Sequence, residues 1–210
     1  IASKVSIGDF DHNEIRSFAS DGSFITLAVD KATDPASPYR RFDNGLAYND
    51  AGQVAVVLNL DAGNVRAVYR FSPGPSGVEA TEIARVEAAG TIRAIDSFAP
   101  AMNNDGLVTF RGRDANGQAI YVGDGTTLRR VIGKDDLVAT DLGIAGIGQH
   151  VDDPNGWPIF SGAPGINAHG DIAFIAGLYP QGNNQVEWGS GVFVAYADGD
   201  VIFQDGFENP

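Results

Sequence analysis

The chain of 210 residues has no cysteine, which excludes a disulfide framework, a thiolate metal centre and a cysteine nucleophile, and is neutral as to redox compartment. It has little positive charge: 14 Lys and Arg against 27 Asp and Glu leave a net −13, spread along the chain. Such a charge opposes nucleic-acid phosphates and anionic headgroups as partners. No apolar run approaches the roughly 20 residues that span a bilayer, so membrane insertion is not expected. Ile1, Ala2, Ser3 and Lys4 do not form a signal peptide, so an exported protein would be in mature form, its leader removed. Helical periodicity with caps is scarce as well. What is plentiful is glycine, 27 residues, with 10 prolines, a composition of many turns and short strands.

Those turns repeat. Residues 103–110 read Asn-Asn-Asp-Gly-Leu-Val-Thr-Phe, and the same order of Asn, two residues, Gly, one residue and an apolar alternation returns at 49–56 and 167–174. A degenerate copy fits Asp21-Gly22, with Ala19 in place of the Asn. After each clear copy the pattern predicts a strand, a turn, a returning strand, a second turn and a third strand. A short fourth strand is expected before each Asn. Residues 4–18 look irregular, and 31–41, with Pro35 and Pro38, have a loop composition. The expectation is an all-β fold of antiparallel repeat sheets, β-propeller-like, in one domain over 1–210. Its units fall at 14–41 (degenerate), 42–90, 91–137 and 160–208. Blades need neighbours on both sides, so a set this small is partial, closed on itself or completed by a homo-oligomer.

The repeated Asn-x-x-Gly-x-Val/Ile-Ala/Thr-Phe, with Val68-Tyr69, Ile120-Tyr121 and Val192-Phe193 on the returning strands, resembles tandem-repeat, propeller-like proteins exported by bacteria. Residues 202–208 are similar to a short Phe-x-Asp-Gly-Phe-Glu ending found on some exported gamma-proteobacterial proteins. The resemblance implies a secreted or periplasmic location and no assigned reaction.

For chemistry, Asn49, Asn103 and Asn167 read as turn formers, since Asn bonds its own backbone and Gly supplies positive φ. Asp9, Asp11 and Asn13 have the oxygen spacing of half a calcium loop, but Glu14 and Ser20 fall where an EF-hand needs Gly and Glu. A looser calcium site, stabilising a structural module, stays open. His150 with Asp152 is the most enzyme-like pair, a base for a hydrolase-type reaction. Trp157 and Trp188, with Asn155 and Asn184 beside them, lie in polar loops and suit a glycan or protein ligand. The expected role is a non-catalytic binding scaffold.

Overall fold

Runs such as Val54-Ala55-Val56-Val57-Leu58 are rich in β-branched residues and bounded by turn formers, and they become strands. The computed structural model of the chain describes residues 1–8, 11–148, 159–197 and 201–203. Its strands form four sheets, and every pairing is antiparallel.

The first sheet pairs β1 (Ala2–Ser6), β2 (Asn13–Phe18) and β3 (Phe24–Val29). The second runs β4 (Tyr39–Tyr48), β5 (Val54–Leu60), β6 (Arg66–Gly74), β7 (Gly77–Arg85). In the third, the short β8 (Ala94–Ile95) and β9 (Ala101–Met102) both pair with β10 (Val108–Arg113), followed by β11 (Gln118–Gly123) and β12 (Leu128–Gly133). The fourth opens with a hairpin of β13 (Leu137–Thr140) and β14 (Gly143–Ile147). It continues through β15 (Phe160–Ile166), β16 (Ile172–Pro180), β17 (Gly189–Ala195) and β18 (Val201–Phe203), with β14 and β15 both paired to β16.

Because successive residues of a strand point to opposite faces, a strand inside a stack is apolar on both. In β5, Val54, Val56 and Leu58 pack with Ile15, Leu27 and Ala28 of the first sheet. Ala55 and Val57 point the other way, into a cluster with Val108, Phe110 and Tyr121 of the third. A further cluster joins Ile120, Val122 and Ile132 to Ile172, Phe174 and Phe193. Each of these three clusters lies between consecutive sheets, and none of them joins the fourth sheet to the first. The architecture is an all-β, propeller-like stack. No helix among the described residues is long and apolar enough to cross a membrane.

Several local expectations need correction. Within the stretch expected to be irregular, 4–6 belong to β1 and 13–18 to β2, and the expected loop over 31–41 ends in β4, which starts at Tyr39. β1 reads Ala-Ser-Lys-Val-Ser, and such small and polar side chains carry no apolar alternation. The first sheet covers 2–29, so the expected unit at 14–41 cuts through it. The turn at 19–23 does have the backbone of the Asn turns, with Ala19 N–H bonded to Ser23 O and Gly22 at φ +85°. It joins β2 to β3, however, and β1 is the strand that lies against β4 as β4 does against β9, so this turn holds the place of the β5–β6 turn of the second sheet. Glycine matching had shifted the first unit by one strand.

Candidate functional site

β1 and β4 run beside each other, and between them opens a polar groove. One part, about 480 Å³, is lined by Lys4, Asp11, Asn13, Arg40, Arg41 and Asn44 among others, and by Phe42, whose side chain belongs to the core cluster between the first two sheets. A second part of about 530 Å³ shares Lys4 and Asn44 and continues along Ser3, Ser6 and Gly45.

The groove has a rigid wall. Asp30, at the end of β3, is fully buried and accepts hydrogen bonds from Asn13 N–H and Nδ2, both at 3.0 Å, and from Thr33 N–H and Oγ1 at 2.9 and 2.8 Å. Burial pushes the Asp30 carboxyl up, but the bonds from Asn13 and Thr33 outweigh it and hold it below the ordinary carboxylate value. Lys4 Nζ donates to Phe42 O at 3.3 Å, tying β1 to β4 across the groove. Arg41 Nε is anchored on Asn59 Oδ1 at 3.1 Å, while Arg40 next to it is exposed.

Donors (Lys4, Arg40, Asn44) and acceptors (Asp11, Asn44) therefore face one space, an arrangement for holding polyhydroxylated or amide ligands. The groove hydroxyls Ser3 and Ser6 donate to Lys4 O and Asn13 Oδ1, so both protons go to neutral amide oxygens. Asn13, a metal candidate from its spacing, spends its carboxamide on Ser6 and Asp30. No group of three or more His, Asp or Glu able to hold a metal occurs among the described residues.

The three Asn turns do more than shape hairpins. Asn103 Oδ1 accepts from Asp105 N–H and Leu107 N–H, and Asn167 Oδ1 from His169 N–H and Asp171 N–H, which is the expected turn role. The other end of the carboxamide points to the next sheet: Asn49 Nδ2 donates to Asn103 O at 3.0 Å, and Asn103 Nδ2 to Asn167 O at 3.3 Å. Asp50 and Asn104 reinforce the first step, Asp50 N–H donating to Asn104 Oδ1 and Asn104 Nδ2 to Asp50 Oδ2. An Asp would keep the turn and lose this donor. The motif is thus a clasp between repeats, and spacing alone could not show its second partner.

Of the other residues singled out, Asp9, His150, Asp152, Asn155 and Trp157 lie outside the described residues. Asp11 and Asn13 are in the groove. Asn184 and Trp188 are instead in the β16–β17 connection of the last sheet, and the fold does not bring them to the groove. Asn184 is exposed; Trp188 is half-buried against the cluster between the third and fourth sheets. Lys4, Asp30, Arg40, Arg41 and Asn44 were missed from sequence. The one available signal was the Arg40-Arg41 pair in a chain poor in positive charge.

The model of a family of unknown function, DUF7453, matches residues 12–210. No curated protein matches the chain.

Proposed function

We propose that this chain, which belongs to the DUF7453 family, is an exported, non-catalytic scaffold that binds a neutral glycan in the groove between β1 and β4. The carrying observation is that Lys4, Arg40, Asn44 and Asp11 line one space. Sugar hydroxyls both donate and accept, so a lining of mixed sign serves them. The net −13 disfavours a polyanionic ligand over distance, which leaves an uncharged one as the better fit.

Titration calorimetry against a panel of neutral and uronic-acid oligosaccharides tests this reading. It expects binding of a neutral member, weakened about tenfold or more by Arg40→Ala or Asn44→Ala. Lack of binding across the panel, or affinity indifferent to both substitutions, would sink it.

A further inference from the structure

The polar groove has a neighbour. Its two parts take Arg40 and then Asn44 and Leu46 from β4, and a third cavity, of about 270 Å³, takes Tyr48, the last residue of that strand. The first sheet is used in the same order. Asn13, at the start of β2, lines the first cavity, Ser6 and Ala2 of β1 line the second, and Ser17, near the end of β2, lines the third. The register pairs Ser6 with Asn13 and Ala2 with Ser17, so the three cavities follow one another along the crevice between the first two sheets.

The third cavity has other chemistry. Phe42, Leu46 and Tyr48 pair with Leu58, Val56 and Val54, all of the cluster between the first two sheets, so Tyr48 is on the face of β4 that looks toward the first sheet. Ile25 is the partner of Ser17, two residues from buried Ile15, and so faces back across the crevice. Phe42 is buried and Leu46 half-buried, but the crevice opens at its end, where Tyr48 is 41% and Ile25 49% exposed. Among the described residues Tyr48 has no ring partner and no side-chain hydrogen bond. A half-exposed ring of this kind, beside a cavity, suits the C–H face of a sugar.

A strand rises about 3.3 Å per residue, which puts Arg40 and Tyr48 on the order of 25 Å apart. One sugar ring cannot bridge that span, whereas an extended chain of them can. We infer that the ligand is an oligosaccharide laid lengthwise along β4, held by Arg40, Lys4 and Asn44 in the groove and by a further ring stacked on Tyr48 beside Ile25. This rests on the glycan reading of the groove and adds to it the length of the ligand and the stacking residue.

Titration calorimetry of the full chain tests this with β-1,4-linked glucose, α-1,4-linked glucose and β-1,4-linked N-acetylglucosamine oligomers, each from disaccharide to hexasaccharide. In a series that binds, affinity is expected to rise at least about tenfold from the shortest binding oligomer to the hexasaccharide. Tyr48→Ala should remove most of that rise and leave the shortest oligomer unaffected, Tyr48→Phe should keep the rise, and Arg40→Ala should weaken every length. Circular dichroism checks that Tyr48→Ala is folded; if it is not, Ile25→Ser, at the same cavity, takes its place. Affinity independent of length, a folded Tyr48→Ala that binds the hexasaccharide as the wild type does, or a loss equal at every length would overturn the inference and leave the groove reading standing. Absence of binding in all three series would overturn both.

Discussion

The first and last sheets stand at the two ends of the described stack, and their outward faces differ in chemistry. β2 carries Glu14 and Arg16 on its outward face, whereas the outward face of β16 carries Ala173 and Ile175. A repeat brings an apolar interface on both of its sides, so ending a stack requires a change of side chain. That change is seen at Glu14 and Arg16 of β2 and not at Ile175 of β16 or Val192 of β17. The polar groove lies beside the first sheet, while Ile175 and Val192 leave exposed apolar side chains on the fourth.

The largest test of this contrast compares neighbours on one strand. Phe174 faces the core and Ile175 faces out, so Phe174→Ala should cost about 3–5 kcal/mol and Ile175→Ala under about 1 kcal/mol in urea unfolding of dilute protein. Equal losses would mean that β16 is covered on both faces within one chain. Next come the clasps. Asn103→Ala strips a buried residue that serves two sheets and should cost about 2 kcal/mol, with Asn167→Ala nearer 1 kcal/mol because its amide reaches only its own turn.

Extremes of pH should strike the two ends separately. The Asp30 carboxyl is held low in the fold, so its contribution is present above its unfolded value of about 3.9 and is lost as pH falls through the folded one. Burial and a hydrogen bond to Asp135 push Tyr179 up to about 12. Its contribution is present below the unfolded value of about 10 and is lost as pH rises through about 12. Thermal melts should show a flatter acid limb for Asp30→Asn and a flatter alkaline limb for Tyr179→Phe. A flatter acid limb in the Tyr179 variant would contradict the assignment. Smallest of all, Glu14→Gln on the outward face of β2 should change unfolding by about 0.5 kcal/mol, as partly solvated ion pairs do.

Much of the frame was readable in residue order. Asn at 49, 103 and 167 with Gly three residues later marked turns whose glycines adopt φ of +76, +81 and +88°, and the apolar runs after them became β5, β10 and β16. The expected fourth strand before each Asn exists as β4, β9 and β15. Other strands were hidden by their composition. β14, Gly-Ile-Ala-Gly-Ile, looks like a loop because Gly146 lacks a side chain, yet the Tyr179 ring occupies that space. The groove was hidden for a different reason: Lys4, Asp30 and Arg40 are far apart in the chain and meet only because β1 lies against β4.

Local chemistry, then, was decided by the sequence itself: turn formers at fixed offsets and a two-residue apolar period determine antiparallel repeats wherever they occur, since each requires only neighbouring residues. Which face of each sheet is covered was decided by the tertiary structure. Val57 and Ile175 are both apolar residues at the same place in the repeat, and only the presence or absence of a following sheet makes one a core residue and the other a surface.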